Sequence, residues 1–207
     1  TPSTRSEGNG IDSSLFKLSR RLKKLETMNI TVISCSLHPQ SRSYVMAQQL
    51  SNNLKRLGET GQLIDLRQHP LPLCGTDTAY DDPVVAKIRQ IVGAASAIIL
   101  TAPIYNYDVN AAAKNLIELT GKRWENKVVG FACAAGGRSS YMSVMGIANS
   151  LMLDFRCLIV PRFVFATGDD FASDRTPEMY IKSETIQERL TELASTTFAL
   201  TESWNGI

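Results

Sequence analysis

Three short stretches concentrate side chains and bare backbone of the kinds that hold small anionic or flat ligands. The first, Ser34-Cys35-Ser36-Leu37-His38-Pro39-Gln40-Ser41-Arg42-Ser43, crowds hydroxyls, a histidine and an arginine into one loop. If a helix starts there, its free N–H groups and positive dipole end favour an anion. The hydroxyls Ser36, Ser41 and Ser43 would add hydrogen bonds suited to a phosphate monoester, with charge from Arg42 or His38. A single serine, Ser41 or Ser43, would explain an N-cap; the whole set exceeds what a cap needs. The second stretch, Thr101-Ala102-Pro103-Ile104-Tyr105-Asn106-Tyr107-Asp108, offers aromatic, amide and main-chain groups that could cover a planar heterocycle. Asn110, just beyond, reads better as an N-cap than as a ligand. The third, Ala134-Ala135-Gly136-Gly137-Arg138-Ser139-Ser140-Tyr141, lets backbone approach a ligand closely through Gly136 and Gly137.

Other chemistries lack their residues. There is no G-x-G-x-x-G, no G-x-x-x-x-G-K-[ST] and no G-x-S-x-G elbow. The two histidines, His38 and His69, have no metal-ligand spacing. Asp169-Asp170 reads as a solvated loop pair and Asp81-Asp82 as acids at a helix start. Arg138 reads as a surface arginine sooner than a nucleotide contact.

The elements that must carry these loops alternate. A β-branched run at 29–34 predicts a buried strand, and a stripe of Val45, Met46, Leu50, Leu54 and Leu57 predicts a helix over 41–57, ended by Gly58. A second strand is expected over 62–66. Asp82 and Pro83 form the N-cap and first helical residue of a helix stopped by Gly93. Strands at 97–101 and 127–134, helices at 111–119 and 140–153, a fifth strand at 157–165 and a closing helix at 183–200 complete the pattern. Five strands alternating with helices imply an α/β, flavodoxin-like, five-stranded parallel sheet of order 2-1-3-4-5 with helices on both faces. Ligands in such sheets sit outside the carboxyl ends of the strands, where strand order reverses. The loops after strands one, three and four are the three stretches above.

The 207 residues suffice for one domain with a substantial core. A net charge of +2 gives no electrostatic case for nucleic acid or an anionic membrane, and no apolar run is long enough to span one. The four cysteines, Cys35, Cys74, Cys133 and Cys157, lack paired spacing and fit a reducing cytosol. Residues 1–27 are polar, then basic: Arg5, Lys17, Arg20, Arg21, Lys23 and Lys24 outnumber Glu7, Asp12 and Glu26. A helix over 14–25 is plausible from its leucine spacing. The stretch is expected to be an N-terminal extension or vector-derived residues ahead of a natural start at Met28, with the domain proper at 28–207.

Taken together, the three loops resemble the NADPH-dependent FMN reductase family, which includes flavin, azo and quinone reductases. The first resembles its G-S-x-R-x-x-S-x-[NS] motif, the second its P-x-Y-N motif and the third its S-x-G-G motif, in order and over roughly 28–169. The resemblance implies Ser36, His38, Ser41 and Ser43 around the FMN phosphate. It implies Pro103, Ile104, Tyr105 and Asn106 along the isoalloxazine and ribityl chain, and Gly136 and Gly137 at the pyrimidine edge. Here Cys35 stands at the family's glycine and His38 at its arginine, with Arg42 available to compensate. Tyr107 stands where a small residue is common. The implied reaction is hydride transfer from NAD(P)H to FMN, with passage on to quinones, azo compounds or a partner monooxygenase, in a homodimer or homotetramer. Tyr141, Met142 and Met145 are interface or core candidates. The alternatives are a flavodoxin-like electron carrier and a flavodoxin-fold interaction module without flavin.

Overall fold

The structure, a computed structural model, describes residues 28–204. The helix expected over 14–25 lies outside the described residues. β1 (Ile30–Ser34) pairs in parallel with β2 (Gln62–Asp65) on one side and β3 (Ala97–Tyr105) on the other. β4 (Asp108–Val109) folds back antiparallel on the end of β3, and β5 (Val128–Ala134) lies parallel to β3 on its far side. β1 and β5 are buried throughout, and β3 is buried up to Ile104, which is why they read as unbroken apolar runs.

The fifth lane departs from expectation. It is two pieces, β6 (Leu158–Ile159) against Val128 and Val129, and β7 (Val164–Ala166) against 132–134 of β5. Pro161 has no N–H to give a ladder and Arg162 turns to φ +58°, so pairing lapses and then resumes. The lane order nevertheless follows 2-1-3-4-5. β3 also outruns the predicted end at Thr101, passing through Pro103 to Tyr105. Thr101 accepts from the Cys35 N–H toward β1, and by the two-residue period Pro103 faces the same way, where β1 has already ended. The proline therefore breaks no ladder bond.

α1 (Arg42–Arg56), α2 (Pro83–Ala94), α3 (Ala111–Thr120), α4 (Met145–Phe155) and α5 (Glu184–Ser203) connect the lanes. α1 and α5 cover one face through Met46, Leu50, Leu54, Ile186, Leu190 and Leu193, packed on Ile30, Val32 and Ile99. Burying each such large apolar side chain stabilises the fold by about 1.5–3 kcal/mol. The other face carries α2, α3 and α4 through Ile88, Val92, Leu116, Ile147 and Leu151, on Ile98, Leu100 and Phe131. α1 ends as predicted, with Gly58 at φ +91° and its N–H bonded to the Lys55 carbonyl. Asp82 caps α2 by accepting from the Val84 N–H at 2.7 Å.

The helix expected over 140–153 is a 3-10 segment, Arg138–Val144, that turns α-helical only at Met145, because Ser140 leaves helical geometry. β8 (Phe171–Ala172) and β9 (Tyr180–Ile181) form a small hairpin absent from the sequence-based expectation. Asp170 is not a solvated loop acid: its carboxylate accepts from the Thr167 N–H at 2.8 Å and caps the turn before β8. Among the described residues, no helix is long and apolar enough to cross a membrane.

Candidate functional site

The carboxyl ends of β1, β3 and β5 surround a cleft of about 290 Å³. The first loop contributes Ser36, Ser41, Arg42 and Ser43, and the second Pro103, Ile104, Tyr105 and Asn106. The third contributes Ala134, Ala135 and Gly136. A second hollow of about 470 Å³ shares Ile104, Asn106 and Gly136 with the first and adds Tyr107 and Gly137. The two form one continuous depression along the sheet's edge, the place a doubly wound sheet offers a ligand.

At its inner end three hydroxyls are almost wholly buried, Ser36, Ser41 and Ser43. Ser41 caps α1 by accepting from the Tyr44 N–H at 3.2 Å, and it shares one hydrogen bond of 2.9 Å with Ser43. Ser36 accepts from the His38 N–H at 3.3 Å. Each hydroxyl carries one proton, and only one of the three is used between Ser41 and Ser43. The Ser36 proton and one from the Ser41–Ser43 pair therefore have no acceptor among the described residues. No acidic side chain stands in the first turn of α1, so nothing there opposes a bound anion.

His38 does not join this group. Its side chain is exposed and its Nδ1 accepts from the Gln40 N–H at 3.0 Å, so it shapes the loop outside the cleft. Cys35 turns away as well. Its thiol sits in the core, where burial pushes its pKa well above the usual thiol range, and its backbone N–H and carbonyl bind Thr101 and Asn110. Burial likewise pushes the Cys133 thiol up to about 12. Asn110 occupies the N-cap position of α3 without capping it; its amide instead donates to the Cys35 carbonyl at 2.7 Å, tying the second loop to the first.

Arg42 lines the cleft, but Asp174 engages its guanidinium bidentately, with Nε at 2.8 Å and Nη2 at 2.5 Å. Its Nη1 donates to the Ala135 carbonyl at 3.2 Å. The guanidinium holds the Asp174 carboxyl below the usual range, and the carboxylate raises Arg42 in turn. Arg175, the next residue, also lines the cleft and donates to the Gln40 carbonyl at 2.9 Å. The sequence reading missed both Asp174 and Arg175. Their partners lie more than a hundred positions earlier, and Asp-Arg-Thr-Pro gives no local sign beyond that of a turn.

The β3–β4 connection is a two-residue turn with Asn106 at φ +52° and Tyr107 at φ +62°, both left-handed. This geometry matches the twist of the strands and swings the turn over the depression. Tyr107 is held there by a 3.2 Å hydrogen bond between its hydroxyl and that of Ser139. Gly136 and Gly137 need neither positive φ nor close internal packing, since a Cβ on either would meet no heavy atom within 4 Å. The folded chain itself leaves room for side chains there, and the glycines present bare backbone to the depression.

A separate hollow of about 380 Å³ near Leu37, Leu66, Leu71 and Leu73 is more apolar, and it lacks this donor surplus. The Asn115 amide in its wall is spent on the Cys74 N–H and the Pro72 carbonyl. Among the described residues no group of three or more His, Cys, Asp or Glu side chains could hold a metal ion.

The sequence matches the profile of the NADPH-dependent FMN reductases over residues 28–172, which includes all three loops. An NAD(P)H-dependent FAD/FMN reductase of Geobacillus thermodenitrificans is 24% identical over 135 residues, covering 64% of this chain and 71% of that protein. An NADPH azoreductase of Bacillus sp. strain OY1-2 is 24% identical over 143 residues, 68% of this chain and 78% of the other. In three dimensions the chain resembles the flavoenzyme NAD(P)H:(acceptor) oxidoreductase of Paracoccus denitrificans, with a TM-score of 0.67 at 16% identity, over 86% of this chain and 98% of that one. With its parallel sheet, its depression at the strand ends and its matching sequence profile, the chain belongs to the NADPH-dependent FMN reductase family and is an oxidoreductase with a flavodoxin-like fold.

Proposed function

We propose that the depression holds FMN, with its phosphate at the α1 end and its ring system along the β3 and β5 loops, and that NAD(P)H reduces it there. The observation that carries this assignment is the surplus of buried hydroxyl donors on Ser36, Ser41 and Ser43. Buried donors without acceptors are costly, and a phosphate would supply what they lack. The residues present fit the cofactor in two further respects. The glycine backbone at 136–137 faces open space, and no carboxylate lines the 290 Å³ cleft.

FMN, when bound, supplies the two-electron redox chemistry that lets a nicotinamide hydride be accepted. The chain's own part is to bind and orient. The serines and the first turn of α1 hold the phosphate end, and Asn110 locks the first loop against the second. Pro103 and Ile104 form a floor set by β3. The Asn106–Tyr107 turn and the bare backbone at Gly136 and Gly137 border the space where a planar ring and an incoming nicotinamide would lie. The final acceptor, whether free flavin, a quinone or an azo compound, would enter the same open side.

A second copy of this chain is the proposed partner. Asp154 is the one charged residue of α4; Met145, Met152 and Leu153 are exposed on it, and Met142 is exposed on the 3-10 segment just before it. Exposed apolar area of this kind marks an interaction surface, and a two-fold axis would let it cover itself. The free cysteines, three of them buried, suit a reducing compartment such as the cytoplasm.

The function is tested by mixing FMN-reconstituted protein anaerobically with NADPH, and separately with NADH, in a stopped-flow absorbance cell. Loss of the oxidised-flavin band faster than the protein-free control is expected. Tight FMN binding with no acceleration would point to an electron carrier instead. The cofactor assignment has its own check. Ser36→Ala combined with Ser43→Ala should weaken FMN binding by about 1.5–3 kcal/mol or more in a fluorescence titration, given the strength of hydrogen bonds to charged groups.

A further inference from the structure

Two guanidinium groups border the inner cleft, one held in a bidentate ion pair and the other not. Arg42 gives Nε and Nη2 to the Asp174 carboxylate and Nη1 to the Ala135 carbonyl. Its charge is neutralised and its position fixed: a Cβ on Gly168 would lie 2.6 Å from its Nη2. The Arg175 guanidinium is bound at one nitrogen only, Nη1 to the Gln40 carbonyl, and forms no ion pair within 4 Å among the described residues, although the Asp174 carboxylate acts on it at longer range and accepts from its backbone N–H. A guanidinium has five N–H donors, so most of this one remains available.

The anchoring is specific. Gln40 directly precedes Ser41, so the bond from Arg175 ties its guanidinium to the loop that supplies the hydroxyls. The turn that carries it is strained, with Ser173 at φ +48° and Arg175 at φ +62°. Such backbone persists in non-glycine residues only where its surroundings impose it. The Arg42–Asp174 pair, together with the bond from the Thr176 N–H to the Ser173 carbonyl, imposes it here. Asp174 is thus a positioning residue: it occupies the Arg42 guanidinium within the cleft wall and fixes the turn that carries the neighbouring one.

We infer that Arg175 is the cation that recognises the phosphate monoester of the flavin, and that it makes the site select FMN over riboflavin. This inference rests on the assignment of the cleft to FMN. A guanidinium beside hydroxyl donors suits a phosphate dianion, since it adds charge-assisted hydrogen bonds that a neutral ribityl hydroxyl cannot use as well.

The test titrates FMN and riboflavin separately into flavin-free full-length protein, following quenching of flavin fluorescence, for the wild type, Arg175→Ala and Arg175→Lys. Arg175 is exposed, so both variants are expected to fold, and circular dichroism checks this. The alanine variant should bind FMN about ten- to a hundredfold more weakly, leave riboflavin within about twofold, and show a shallower dependence of FMN affinity on salt. The lysine variant should recover part of the loss, because it restores the charge without the planar fork. Unchanged FMN affinity, or equal weakening of both flavins, would overturn the inference. So would a rise confined to the KM for NADPH, which would assign the guanidinium to the nucleotide's phosphate. If the wild type binds neither flavin, the FMN assignment itself fails; if it binds both equally, only the role of Arg175 does.

Discussion

Tyr107 holds a left-handed backbone, at φ +62°, in a turn whose companion Asn106 tolerates that region far better. Its hydrogen bond to Ser139 offsets part of the strain. Tyr107→Gly should therefore raise stability by up to about 1 kcal/mol, read from the midpoint of urea unfolding. The aromatic also borders the depression, so the same variant should change the KM of whatever enters from the open side. At this scale the sequence is informative about groups that cluster locally. Ser36, Ser41 and Ser43 are visible as a hydroxyl set because they lie within one loop. Arg42 is visible too, but its ion pair is not, since Asp174 lies 132 positions away and only the fold brings them together. The placement of His38 outside the cleft is not legible for the opposite reason: its partner is Gln40, two residues on, and a local turn within the loop takes up its ring nitrogen.

Among the elements, the β8–β9 hairpin is held in part by charge. It is short, and the Arg42–Asp174 pair fastens its loop to α1. Because the folded carboxyl of Asp174 lies below the usual range, the contribution of the pair is complete above the unfolded carboxylate pKa and is lost as pH falls through the folded one. Below about pH 4, hydrogen exchange in the 171–181 segment should accelerate before exchange in β1, β3 and β5 does. Protection lost everywhere at once would show that the pair fastens nothing locally. Long, apolar elements such as β1, α1 and α5 are legible from periodicity, because their burial and their propensity agree. The interrupted fifth lane is not. Its apolar run looks continuous, and only the missing N–H of Pro161 against a partner strand explains the gap. The hairpin is invisible to periodicity because each of its strands has two residues.

For the whole molecule, the alternation of strands and helices was enough to give the lane order, since parallel neighbours require crossovers and few orders satisfy them. What alternation cannot give is assembly. If α4 and the 3-10 segment before it pack against a second copy through Met142, Met145, Met152 and Leu153, then Met152→Glu combined with Leu153→Glu should shift the sedimentation of the protein to that of a monomer. Both positions are exposed in the single chain, so the substitutions should leave its own unfolding midpoint nearly unchanged. A variant that sediments like the parent would remove α4 from the contact.

The ion pair between Arg42 and Asp174 also has a meaning in time. During synthesis the first loop and α1 leave the ribosome long before the 173–176 turn is translated, and the carboxylate that occupies Arg42 does not yet exist. Until that turn has been made, the Arg42 guanidinium lacks the carboxylate that engages it in the folded protein. The pair closes only once residue 174 has been made and the fold has carried it back to α1. The contact that joins the 173–176 turn to the first helix is thus a late one, made after the strands and helices between its two partners have been translated.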